Sequence, residues 1–129
     1  MLSFIFGVIA VLIVLGIADL VLGPTAKSSG VVDHIALQSS EPSESAKWYS
    51  ERFSGKVMYS DKEWALVKFD NINVAFVLPD EHPGHIAFEV QSIMDNDGFS
   101  GHRDGTMFKY KRDKWGNVYE LIYYKNKKH

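Results

Sequence analysis

"VDHIALQSS" (Val32–Ser40) and "PGHIAFEVQS" (Pro83–Ser92) carry the same core, His-Ile-Ala, then an apolar residue and a Gln-Ser pair, with the two histidines 51 positions apart. Each stretch alternates with period two, as a half-buried strand does. In the first, Ile35 and Leu37 fall on one side and His34, Ala36 and Gln38 on the other. In the second, Ile86, Phe88 and Val90 oppose His85, Ala87 and Glu89. The larger residues, Ile35, Leu37, Ile86 and Phe88, are expected on the packed side. A strand written twice, half a chain apart, reads as the first strand of a duplicated unit.

The residues between the two copies fill out that unit. "SSEPSESAKWYSERFSG" (39–55) predicts a helix: Ser40 or Glu41 caps it, Pro42 suits its first turn, Glu44 complements its dipole, and Gly55 ends it. Strands follow at "KVMYSD", "EWALVKF" and "INVAFVLP", the last two joined by the turn "DNIN". The order is β-α-β-β-β. After the second copy, "IMDNDGFSGHRDG" (93–105) is too rich in Asp, Asn and Gly for a full helix, and "TMFKYKRD", "DKWGN" and "NVYELIYY" read as strand, turn and strand. The second unit is therefore a shortened repeat of the first.

The 129 residues suit one domain, residues 31–129, preceded by a different kind of segment. Residues 1–23, "MLSFIFGVIAVLIVLGIADLVLG", hold a single charge, Asp19, and have the length of an apolar membrane-spanning helix. The missing basic residues before Lys27 and the Pro24 after the run argue against a cleaved signal segment, the competing reading in which the domain is exported. Lys27 on the C-terminal side favours a membrane-anchored domain facing the cytoplasm. Residues 24–30 read as a linker. Without cysteine, disulfides, thiolate metal sites and thiol nucleophiles are excluded, and the net charge of -2 gives no basis for a nucleic-acid partner.

The three matched strands also place chemistry. His34 shares a face with Ala36, His85 with Ala87, and Glu120 with Val118 and Ile122. Alanine beside a polar residue on a sheet face suggests a hollow. Two imidazoles and a carboxylate on rigid strands suit a divalent metal (Fe, Mn, Ni, Co or Zn) with coordination positions left open for a small oxygenated substrate.

On these residues the chain resembles the vicinal oxygen chelate superfamily: glyoxalase I, fosfomycin-resistance proteins, extradiol dioxygenases, methylmalonyl-CoA epimerase and bleomycin-resistance proteins. The resemblance spans about residues 31–124 and rests on "VDHIAL", "SAKWYSERFSG", "GHIAFEV" and "HRDGTMFKYKRDKWGNVYELIYY", in which a D-x-x-G turn precedes the strand bearing Glu120. It implies an α+β fold of paired βαβββ modules forming a curved sheet around a pocket, with the metal held by His34, His85 and Glu120. The implied activity is that of a glyoxalase-like metal-dependent enzyme: isomerase, lyase, dioxygenase or transferase. The alternative is a metal-free module that sequesters a small molecule, as bleomycin-resistance proteins do. Glu120 and Tyr110 are the catalytic candidates, and Glu89 is a weaker one.

Departures from the family pattern limit the assignment. The acidic residue that glyoxalase I places before its second module falls here on Val77, and the threonine of fosfomycin transferases falls on Ala36. The absent second helix thins one pocket wall or leaves it to a second copy in a homodimer. Outside the triad, His82 in "DEHPGH" reads as a solvated loop residue, and His102 with Arg103 as an exposed turn. Trp48, Tyr49, Trp64 and Phe69 read as core, and the basic residues from Lys109 to Lys114 as a solvated edge.

Overall fold

The computed structural model describes residues 27–94 and 98–127. The expected N-terminal membrane helix lies outside them; among the described residues, no helix is long and apolar enough to cross a membrane. The element order is β1 (Lys27–Gln38), α1 (Pro42–Phe53), β2 (Lys56–Ser60), β3 (Trp64–Lys68), β4 (Asn73–Val77), β5 (His85–Ser92), β6 (Ser100–Gly101), β7 (Met107–Arg112) and β8 (Val118–Tyr123). β1 begins at Lys27, so the last residues expected to be linker pair with β5.

The eight strands form one sheet in the order β2-β3-β4-β1-β5-β8-β7-β6. Read outward from its centre, β1-β4-β3-β2 mirrors β5-β8-β7-β6. The inner pairs β1/β4 and β5/β8 are parallel and the central pair β1/β5 is antiparallel. The two repeats meet about Ile35 and Ile86, which face each other, so that His34 pairs with Ala87 and Ala36 with His85. The repeated His-Ile-Ala is thus the seam of a pseudo-twofold. Period-two alternation puts both histidines on one face.

α1 covers the other face of the first module. The Ser39 hydroxyl accepts the Glu41 N–H at 3.0 Å, Pro42 opens the first turn, and Glu44 supplies its acid. Ser54, not the expected Gly55, takes the left-handed terminal conformation. Gly55 is required for a different reason: a Cβ there would lie 2.5 Å from Val67 Cγ1. Ala46 and Tyr49 pack on Ala65, Val67 and Phe76. Trp48, expected in the core, is exposed on the outer side of the helix.

Between Ser92 and Ser100 there is no room for a counterpart to the twelve-residue α1. The consequence differs from the expected thin pocket wall. α1 sits behind the sheet, so its missing counterpart exposes the back of the second module. Ile86 is 43% and Phe88 36% exposed, and Leu37 nearby is 38%, although all three were expected on a packed side.

Candidate metal centre

The histidine face is concave in chemistry as well as in shape. A cavity of about 410 Å³ opens over β1, β3, β4, β5, β7 and β8, with His34, His85 and Glu120 among its lining. Ala36 and Ala87 are buried and do not line it; the small residue that leaves it room is Ala75, packed beside Ala36, Val77, Trp64 and Leu66.

His34 Nε2 and His85 Nε2 stand 3.4 Å apart, and they lie 3.6 Å from Glu120 Oε1 and 3.7 Å from Glu120 Oε2 respectively. One ligand atom from each residue can lie within 4.8 Å of the others. Both imidazoles are held from behind: His34 Nδ1 is 2.7 Å from Asp33 Oδ2, and His85 Nδ1 is 2.8 Å from the Pro83 carbonyl. With Nδ1–H donating to those oxygens, each Nε2 is left as an acceptor turned toward Glu120, the tautomer a metal ligand needs.

Glu120 is 1% exposed, and its Oε1 has no hydrogen-bond partner. A buried carboxylate oxygen left unpaired is costly unless a cation sits beside it. The nitrogen and oxygen donors, their spacing and this orphan oxygen fit a divalent metal of the Fe-to-Zn series.

Asp33 is a site residue that strict alternation hid. Between Val32, which pairs with Phe88, and His34, which pairs with Ala87, β1 carries one residue too many. This bulge lets adjacent Asp33 and His34 turn to the same side. The Tyr124 hydroxyl donates to Asp33 Oδ1 at 2.6 Å and fixes the carboxylate. Burial pushes the Asp33 carboxyl up, but the hydrogen bonds from His34 and Tyr124 and the charges of His34 and Lys127 outweigh it, and the net shift is downward. Asp33→Asn is expected to weaken divalent-metal binding about 10–100-fold, measured by competition against a chelating indicator.

His102 and His82 also belong to the site. His102, expected on an exposed turn, stacks on Phe108 with ring centroids 3.8 Å apart and brings Nε2 to 3.5 Å from Glu120 Oε2. His82, expected in solvent, has Nδ1 3.0 Å from the Tyr110 hydroxyl. Sequence spacing gives no sign of either contact, because loops place both residues. Tyr110 lies edge-on to His85, and burial, then the charge of Glu120 and a hydrogen bond to it, push its phenol well up. It is protonated at neutral pH and can act as a donor but not as a base. Glu89 lies outside the pocket lining, paired with Lys127 at 2.9 Å. Arg103 reaches Asp61 at 3.2 Å and Glu63 at 3.6 Å, so the two modules are latched together within one chain.

The repeat also locates the missing acidic position. Ala87 pairs with Glu120 in the second module, and Ala36 pairs with Ala75 in the first. The pseudo-symmetric counterpart of Glu120 is therefore Ala75, not Val77 as the family resemblance implied. Neither residue can ligate a metal.

Burial lowers the pKa of the His85 imidazole, and Glu120 is lowered because His102, His34 and His85 outweigh its own burial. For His85, Asp33 and Glu120 alike, the unfolded chain then binds protons more readily than the folded one. Stability is held at neutral pH and lost as pH falls, beginning below about 6.5 with His85 and steepening near about 4 with the carboxylates. Urea midpoints of the metal-free protein are expected to fall between pH 7 and pH 4 with no rise on the way.

No family model matches the sequence, and no curated protein matches it. Solved structures do match. The hypothetical protein BH1468 from Bacillus halodurans C-125 superposes with a TM-score of 0.63 at 18% identity, over 78% of this chain and 99% of that one. A Streptomyces coelicolor methylmalonyl-CoA epimerase in complex with 2-nitronate-propionyl-CoA gives 0.62 at 13% identity, over 77% of this chain and 97% of that one. The Mycobacterium tuberculosis methylmalonyl-CoA epimerase gives 0.58 at 14%, over 78% and 91%. The chain shares the fold of these structures.

Proposed function

We propose that this protein is a metal-dependent enzyme of the vicinal oxygen chelate type, acting on a small oxygenated substrate in the cavity over the His-Ile-Ala seam. One observation carries the reading: two imidazoles with Nδ1 tied back present Nε2 to a buried glutamate whose Oε1 lacks a hydrogen-bond partner. His34, His85 and Glu120 would hold the ion. When bound, a divalent cation supplies Lewis acidity toward a substrate oxygen.

The chain's own residues do the rest. Asp33 and Tyr124 fix His34, and the Pro83 carbonyl fixes His85. His102 steadies Glu120 from the cavity side. Tyr110, kept protonated and held by His82, offers a proton or hydrogen bond to a substrate oxygen where negative charge develops. Trp64, Leu66 and Val77 give the cavity an apolar lining. With Ala75 at the second carboxylate position, the chain lacks the acidic base that a glyoxalase reaction needs, which favours chemistry driven by polarisation and a tyrosine donor. The apolar run of residues 1–23 supports a membrane tether for the domain.

Elemental analysis of protein purified without chelator, followed by titration with Zn(II) or Co(II), tests the proposal. One ion per chain is expected, with micromolar or tighter affinity. Failure to bind any divalent ion stoichiometrically would overturn the metal reading and leave the small-molecule sequestering module in its place.

A further inference from the structure

The charge of the cavity restricts what can enter it. Among the described residues its lining carries five carboxylates, Asp33, Glu63, Glu81, Asp104 and Glu120, against a single guanidinium, Arg103, and no lysine. Arg103 is already engaged by Asp61 at 3.2 Å and by Glu63 at 3.6 Å. A divalent ion at the triad would reduce the excess of negative charge without cancelling it. Charges of one sign in a cleft with apolar walls focus the field on whatever enters. Those walls are apolar and partly aromatic: Trp64, Leu66, Val77, Phe108 and Ile122. Glu120, whose buried Oε1 has no hydrogen-bond partner, lines the same space.

We infer that the cavity selects a small uncharged or cationic molecule with a flat apolar body and discriminates against anions. The charge preference rests on the lining itself and not on the proposed metal site. Two structures that share the fold hold 2-nitronate-propionyl-CoA and methylmalonyl-CoA with NH4+, and the phosphates of coenzyme A are anionic. Among the described residues, this lining offers such groups no unengaged cation.

Three probes of nearly one shape separate the terms: catechol, 3,4-dihydroxybenzylamine and 3,4-dihydroxybenzoate, which differ in one substituent and its charge. They are titrated calorimetrically into the full chain at pH 7, metal-free and loaded with one Zn(II), at low and high salt. The amine is expected to bind at least as well as catechol, and the benzoate about tenfold or more weaker than the amine. High salt should narrow the gap, as should Glu81→Gln, which removes a rim charge outside the triad. Tighter or equal binding of the benzoate overturns the inference, as does a failure of all three to bind in both forms. Failure of the metal reading has a different signature: no Zn(II) is retained, yet the charge order persists in the metal-free protein.

Discussion

Replacing Glu120 with glutamine is expected to lower the affinity for Zn(II) or Co(II) by more than about 100-fold, a loss above the 10–100-fold attached to supporting hydrogen bonds. At that ratio the change is about 2.7 kcal/mol or more of binding free energy. Glutamine keeps the length and shape of the side chain, so the strand and its neighbours hold their packing. It removes the charge on which His34, His85 and His102 converge at 3.5–3.7 Å. The neutral amide is a poor ligand, and one of its ends brings a donor into a cluster of nitrogens. Glu89→Gln is the control. Glu89 is equally buried and lies on the same strand as His85, but it pairs with Lys127 away from the cavity, so metal affinity should not change. Isothermal titration of the two variants side by side gives the answer. A similar loss in both would place the effect in general electrostatics and not at the triad.

Phe76→Ala should produce the largest loss of stability. Phe76 is 2% exposed, lies on β4 under α1, and packs on the Tyr49 ring at 5.1 Å between centroids. Truncating a buried phenylalanine costs about 3–5 kcal/mol through lost transfer energy and the cavity left behind. For a domain of this size that is on the order of 20 °C in Tm. Collapse cannot fill the space cheaply, because Ala46, Ala65 and Val67 around it are already small. Phe88→Ala on the back of the second module should cost under about 1 kcal/mol, since among the described residues no helix covers that ring, which is 36% exposed. The contrast measures what the missing helix means: the same residue type on equivalent sides of two repeats carries very different stability. Thermal melts of both variants, read by circular dichroism, would show it.

Local signals were enough for much of this molecule. Pro42, Glu44 and the Asp113–Asn117 turn behave as their chemistry requires, with Asp113 accepting the N–H groups of Trp115 and Asn117 at 2.9 Å. The Asp, Asn and Gly content after Ser92 argued against a second long helix, and among the described residues α1 is the one helix. Alternation also placed Glu120 inward beside Val118 and Ile122. It failed where geometry leaves period two. The bulge at Asp33 is invisible to a pattern that counts every second residue, and Ser54 could supply the left-handed turn credited to Gly55.

The histidines outside the triad were misjudged for a related reason. Spacing says nothing about a side chain that a loop delivers, and His82 and His102 reach Tyr110 and Glu120 only through the fold of residues distant in the chain. The same limit moved the missing carboxylate position from Val77 to Ala75, since strand register is a property of pairing between chain segments.

By itself the sequence determined the duplication and the order of elements within each repeat, and it put forward His34, His85 and Glu120 as candidate ligands. These follow from alternation and turn chemistry, which act over a few residues. Only the tertiary structure decided that the repeats meet at Ile35 and Ile86, that the uncovered apolar surface lies behind the sheet and not at the pocket, and that Asp33, His82 and His102 surround the triad. Those outcomes depend on which strands hydrogen-bond and in what register, and that is settled by packing between residues far apart in the chain.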